Sequence, residues 1–153
     1  MKQNIYDNDI FYQLYINLRE EGKGLNDVLE IPAFRSLLPD LHDKKVLDLG
    51  CGFGESCKLY VANGAECVVG VDISDKMITK AKQEFSDNRI EYVNQSIEDI
   101  ELKPNYFDLV LSSLAFHYVA NFTELVKRIY AMHNGVWERL IFYVKSTKKQ
   151  LII

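Results

Sequence analysis

The sequence is short of several things, and each shortage argues against a class of protein. Its three cysteines, Cys51, Cys57 and Cys67, are odd in number and show no C-x-x-C spacing, which speaks against a disulfide framework and against a zinc site. No metal is expected. Basic charge is in deficit, with 18 Lys and Arg against 22 Asp and Glu and a formal net charge of −4. A nucleic-acid binder usually carries a basic stripe. The nearest approach to one is Lys145-Ser-Thr-Lys148-Lys149, which reads as a solvated tail or strand end, so no nucleic-acid partner is expected. No apolar run approaches the ~18–20 residues of a membrane span, and Met1-Lys-Gln-Asn-Ile-Tyr-Asp holds no apolar signal core. There are no internal repeats and no low-complexity segment. The expectation is a reduced, cytoplasmic protein with no membrane partner.

What is present is enough for one packed domain. Of 153 residues 48% are hydrophobic and 12% aromatic, too apolar for a disordered chain and long enough to bury a full core. Phe11, Leu14, Tyr15 and Leu18 fall at i, i+3, i+4 and i+7 and predict a helix. Residues 22–27 predict a loop. Ile31, Phe34, Leu37, Leu38 and Leu41 predict a second helix starting near Pro32.

From Lys45 the pattern becomes strand and helix in alternation. Lys45–Gly50 predicts a buried strand, followed by a glycine-rich turn and a helix through Cys57, Tyr60 and Val61 that Gly64 can end. Cys67–Ile73 predicts the second strand. Ser74 can cap a helix with Met77, Ile78, Ala81 and Phe85 on its inner face. Strands follow over Arg89–Asn94 and Tyr106–Ser112. Asn121 with Glu124 resembles a capping box and opens a helix through Phe122, Leu125, Val126 and Ile129, closing near Gly135. Arg139–Val144 predicts a fifth strand. Such alternation implies an α/β fold, a doubly wound and mainly parallel sheet flanked by helices. Ligands bind such sheets at the carboxyl ends of the strands, at the switch point.

The chemistry concentrates in Val46-Leu-Asp48-Leu-Gly50-Cys51-Gly52-Phe-Gly54. Glycines in a G-x-G-x-G pattern straight after a strand let a ligand lie against the backbone, and the next helix points its free N–H groups there. Asp72 ends the second strand 18 residues after Gly54, where a carboxylate can take both hydroxyls of a ribose. A dinucleotide fingerprint would need its third glycine at position 55, which is Glu55. A carboxylate there, and Asp48 inside the motif, repel a pyrophosphate and suit a ligand bearing an ammonium and a sulfonium.

Asp48–Gly54 resembles motif I of the class I S-adenosylmethionine (SAM) dependent methyltransferases, and Asp72-Ile73-Ser-Asp-Lys-Met77 resembles their second motif. The resemblance implies that Asp48, Gly50, Cys51 and Gly52 approach the cofactor, that Asp72 holds the ribose, and that Ile73 and Met77 flank the adenine. Ser96-Ile97-Glu98-Asp99 resembles the third motif, with backbone at Ile97 meeting the adenine edge. Tyr106–Tyr118 resembles the fourth, placing Ser112 and Leu114 near the methionine part. His117 follows that strand and is either a general base, a positioning residue or a structural histidine. Tyr15 and Arg19 lie on a helix that relatives fold over the SAM site. Arg19 either pairs with the SAM carboxylate or is an exposed helix residue. His42 and His133 read as structural, and Cys51 as a small filler of the motif.

The domain organisation expected is an N-terminal helical cap over residues 1–44 and a SAM-binding Rossmann-like domain over 45–153, packed as one compact unit. After Tyr130 the chain departs from the family pattern. Relatives continue with a substrate-binding insertion and further strands, where this sequence has only Gln150-Leu-Ile-Ile153. The expectation is a fold lacking the family's last strands, with an apolar sheet edge that invites a homodimer. The function implied is SAM-dependent methyl transfer to a small-molecule acceptor. The alternative is a non-catalytic SAM-binding module, a truncated remnant or one completed by a partner chain.

Overall fold

Hydrophobic spacing and chain punctuation build a single mixed sheet with helices on its faces. The structure, a computed structural model, describes residues 4–20, 31–133, 140–143 and 151–152. In chain order the elements are α1 (Asp9–Glu20), α2 (Ile31–Leu37), β1 (Lys45–Leu49), α3 (Glu55–Ala62), β2 (Cys67–Asp72), α4 (Asp75–Glu84), β3 (Ile90–Asn94), β4 (Leu109–Ser113), α5 (Phe122–Met132), β5 (Leu140–Tyr143) and β6 (Leu151–Ile152). The sheet order is β3-β2-β1-β4-β5-β6. Neighbours among β1 to β5 run parallel, and the short β6 pairs antiparallel with β5. The sheet thus has a sixth strand beyond the five expected. The basic run 145–149, the loop at 22–27 and Gly135 lie outside the described residues.

The chain winds outward from β1 through β2 to β3, then crosses back to lay β4 on the other side of β1. That reversal puts the switch point between β1 and β4. Alternation along each strand supplies both faces. Val46, Val68, Leu109 and Leu111 join one buried cluster with Cys57 and Tyr60 of α3 and Ile78 and Ala81 of α4. Leu47, Leu49, Val69, Val71 and Val110 point the other way and join Leu125, Ile129 and Met132 of α5. Burial on both faces is why these strands read as nearly unbroken apolar runs. Each fully buried aliphatic side chain contributes about 1.5–3 kcal/mol.

Several boundaries depart from the sequence pattern for identifiable reasons. Helix α2 stops at Leu37 and not near Leu41, because Pro39 disfavours helical backbone at Leu38 and offers no N–H of its own. Leu41 is buried against the first cluster from the connecting segment instead. Helix α1 forms as expected, and its apolar residues divide between two faces. Leu14 and Leu18 are 63% and 53% exposed, while Phe11 and Tyr15 pack edge-on against Tyr6. Tyr106 and Phe107 precede β4 and do not belong to it. Their backbone N–H groups donate to the Met132 carbonyl at the end of α5. Asn121 caps α5 by accepting from Glu124 N at 3.1 Å. The return half of the capping box is replaced, since Asn121 N donates to Glu98 Oε1 at 3.4 Å. Ser74 caps α4 as its sequence position implies, accepting from Met77 N at 3.2 Å.

Gly54 opens α3 with φ at +83°. A Cβ there would overlap the Tyr92 hydroxyl and sit 2.8 and 2.9 Å from two of its ring carbons. Backbone strain and overpacking therefore act at one position. Gly54→Ala is expected to cost about 2 kcal/mol or more of stability, read as a lower urea midpoint. Adding Tyr92→Phe, which removes the nearest obstructing atom, should recover part of the loss. An unchanged midpoint in the single variant would show that neither constraint operates.

Candidate functional site

The carboxyl ends of β1, β2 and β4 open into one cleft. Its floor is the turn Gly50–Phe53 with Asp48 beneath it. One wall carries Asp72, Ile73 and Met77, continued by Ser96, Ile97 and Glu98 after β3. The opposite wall is Ser113, Leu114 and Ala115, followed by Tyr118 and Val119. Residues of the N-terminal segment, Ile5, Tyr6, Tyr15 and Arg19, close it from above. The cleft encloses about 200 Å³, several times the ~30 Å³ share of one water, so it is sized for an organic ligand.

Backbone geometry explains the floor. Gly50 N and Cys51 N both donate to the Val71 carbonyl at 2.8 and 3.0 Å, which ties the turn to the end of β2. Gly52 has φ at +52°, and a Cβ on it would meet nothing within 4 Å. The turn is bare toward the open side. Asp72 is held from two directions. Its Oδ2 accepts from Gly52 N at 3.0 Å and its Oδ1 from Ser74 N at 2.9 Å. Each oxygen keeps a second lone pair for another donor. Burial raises the Asp72 pKa, against the pull of those two N–H groups, and the nearby charge of Asp7 adds to the rise.

Asp48 is the more costly carboxylate. The parity of β1 turns it to the α3 side, where it is 3% exposed and its Oδ2 accepts the Cys57 thiol at 3.6 Å. Burial pushes its pKa up to about 7, with the Asp72 charge reinforcing the shift and the thiol partly offsetting it. The Cys57 thiol is itself held well above its ordinary value. Because the folded chain binds the Asp48 proton more tightly than the unfolded chain does, the associated stability is full below the ordinary carboxylate range. It is lost as pH rises through about 7. A buried carboxylate at the floor of a cleft favours a cationic ligand, which would stabilise its ionised form.

The sequence-derived residues gather unevenly. Asp48, Gly50, Cys51, Gly52, Asp72, Ile73, Met77, Ser96, Ile97, Glu98 and Leu114 all line this cleft, as do Tyr15 and Arg19 of α1. Glu98 does so while its Oε1 accepts Ala120 N at 3.0 Å. Arg19 is half-buried at the cleft, where its guanidinium is ion-paired with Glu55. Two of the expected residues do not line the cleft. Ser112 is buried and donates its hydroxyl to the Leu49 carbonyl at 2.8 Å, so Ser113 is the serine of β4 that faces the cleft. His117 is exposed and does not line the cleft. The short 3-10 turn Phe116–Tyr118 sends the Tyr118 ring toward the cleft instead.

The residues that sequence reasoning passed over are mainly aromatic. Tyr6 and Tyr118 face each other across the mouth, hydroxyl to hydroxyl at 3.3 Å. Desolvation raises the Tyr6 pKa further above its ordinary value, with the Tyr118 hydroxyl contributing, so this phenol stays neutral. Phe53 lies inside the glycine motif and packs on Tyr12 and Tyr15. Its place between two motif glycines was the one available signal. Tyr6 sits in a three-residue turn, Ile5–Asp7, with no periodicity to mark it.

Comparison with known proteins agrees with this geometry. A family described as a methyltransferase domain matches residues 47–134, from β1 through the cleft walls to the end of α5. An uncharacterized protein of Haemophilus influenzae is 41% identical over 135 residues, covering 84% of this chain and 53% of that protein. A crystal structure from Listeria monocytogenes, assigned as an S-adenosylmethionine-dependent methyltransferase, superposes with a TM-score of 0.75 at 39% identity, over 80% of this chain and 55% of that one. An S-adenosylmethionine-dependent methyltransferase from Mesorhizobium loti superposes with a TM-score of 0.67 at 36% identity, over 72% and 50%. The chain spans about half the length of these relatives. On its sheet order, its glycine turn with Asp72 at the end of β2, and the span of the family match, the chain belongs to the class I S-adenosylmethionine-dependent methyltransferases.

Proposed function

We propose that the cleft binds S-adenosylmethionine and that the protein transfers its methyl group to a small-molecule acceptor. The observation that carries this reading is Asp72, fixed by two backbone N–H groups beside a bare glycine turn, with a second, desolvated carboxylate in the same cleft. The donor set fits the ligand. Asp72 has lone pairs for ribose hydroxyls, Met77 and Ile73 offer apolar surface beside it, and Asp48 balances positive charge. When bound, the sulfonium supplies an activated methyl group and a neutral leaving group. The task left to this chain is to hold, orient and keep out water, and orientation alone is worth up to ~7–11 kcal/mol. The acidic overall charge favours a small acceptor over a nucleic acid.

Calorimetric titration with S-adenosylhomocysteine, with NADH as control, tests the reading. Saturable binding of the first alone is expected, and Asp72→Ala should weaken it by about 100-fold or more, since two hydrogen bonds to a carboxylate are lost. A folded protein that binds neither ligand would end the proposal. Binding without methyl transfer to any acceptor would favour a non-catalytic SAM-binding module.

The raised pKa of Asp48 gives a second test. Below pH 7 the incoming cation must displace a proton, so SAM affinity is expected to fall by up to about tenfold per pH unit below about 7 and to level off above pH 8. Asp48→Asn should flatten that profile. Titrations in two buffers of different ionisation enthalpy would reveal the released proton. A flat wild-type profile would show that Asp48 does not meet the ligand's charge.

A further inference from the structure

The N-terminal segment does more than cover the cleft. Asp7 reaches across to the start of α4, where its Oδ1 accepts the Ser74 hydroxyl at 2.5 Å and Lys76 N at 3.3 Å. Its Oδ2 accepts Asp75 N at 3.4 Å and Asn4 Nδ2 at 2.5 Å. Asn4 Nδ2 also reaches the carbonyl of Ile73, the residue after Asp72. These bonds hold the Asp7 carboxyl below its ordinary pKa: burial pushes it up, but the donors from Ser74, Lys76, Asn4 and Asp75 outweigh that. On the far side of the cleft, Tyr6 of the same segment meets the Tyr118 hydroxyl. The segment spans the mouth and is fastened at both ends.

Ser74 makes this fastening matter. It is fully buried, and a hydroxyl has one proton to give. That proton goes to Asp7, while its oxygen accepts Met77 N at 3.2 Å. Its backbone N–H donates to Asp72 Oδ1, and Asp72 Oδ2 takes Gly52 N. An unbroken line of hydrogen bonds therefore runs from Asp7 through Ser74 and Asp72 to the glycine turn. Remove Asp7, and Ser74 has a buried proton without an acceptor. The start of α4 also loses the carboxylate that accepts Asp75 N and Lys76 N and that its dipole favours. The first loss falls on the residue whose N–H holds Asp72 Oδ1; the second falls on the first turn of α4.

We infer that Asp7 is a positioning residue for cofactor binding, acting through Ser74 to hold the Asp72 carboxylate where it can take the ribose hydroxyls. The inference rests on the SAM reading of the cleft. It differs from a general lid role because the effect must pass through one named side chain.

A double-mutant cycle on the full chain tests it, with S-adenosylhomocysteine affinity measured by calorimetry well below each variant's unfolding midpoint. Asp7→Ala is expected to weaken binding about tenfold, the value of one hydrogen bond to a charged group. Ser74→Ala should do the same. The double variant should match either single variant and not show the product of the two losses. Asp7→Asn, which keeps an oxygen for Ser74, should stay within about threefold of wild type. Gln13→Ala, on the outer face of α1, is the control and should leave affinity unchanged. If Asp7→Ala does not fold, the cycle is run with Asp7→Asn, whose smaller loss should likewise vanish on the Ser74→Ala background. Losses that multiply, or an Asp7→Ala affinity within about twofold of wild type, overturn the inference alone. A wild-type chain that does not bind S-adenosylhomocysteine overturns the cofactor reading and takes this inference with it.

Discussion

A carboxylate taken out of water must be met by donors or it will hold its proton. The carboxyl ends of β1 and β2 carry two such groups, and much of the local architecture answers to them. Asp72 is met by backbone N–H groups from the glycine turn and from the residue before α4. That solution makes one side chain the bolt between two crossover units. Asp48 meets a thiol among the described residues, and burial raises its pKa. Burial raises both carboxyls, Asp72 against the pull of its two N–H donors and Asp48 to about 7. The first is suited to binding neutral hydroxyls, the second to compensating charge on whatever lies above it.

The walls are tied to this centre by contacts of long sequence separation. Tyr6 meets Tyr118 across 112 positions, and Asp7 meets Ser74 across 67. Glu98 accepts the N–H groups of Ala120 and Asn121 just before α5. The last contact links the segment after β3 to the segment after β4, so the two sides of the cleft are joined at the rim as well as at the base. A ligand held by one wall is therefore in mechanical contact with the other.

How much of this could be read from residues alone depends on the range of the forces involved. Gly50, Gly52 and Asp72 stand out because a bare turn and a strand-end carboxylate are local demands with local signatures. The caps at Ser74 and Asn121 were readable for the same reason, each bonding an N–H three residues on. The inward face of α1 was not. Ile10, Leu14 and Leu18 form one apolar row and Phe11 and Tyr15 another, and periodicity cannot say which row meets protein. The aromatic row wins because Tyr6 and Phe53 offer it rings to pack on. Ser112 and Ser113 differ by one strand position, and one position reverses the face. His117 and Tyr118 pose a similar ambiguity, since in a tight turn either ring could line the cleft, and here it is Tyr118. Asp7 and Tyr6 carry no local pattern at all, because their partners lie on other elements.

The crowding of Tyr92 over Gly54 has an evolutionary consequence. Two independent pressures act on that glycine: a left-handed backbone at the start of α3 and a phenol that fills the space where a side chain would stand. Among descendants of this chain, a smaller residue at position 92 would relieve the second pressure but leave the first. Position 54 should therefore remain glycine even in lineages whose cleft has stopped binding anything. Retention of that one glycine is a record of packing and not of ligand binding.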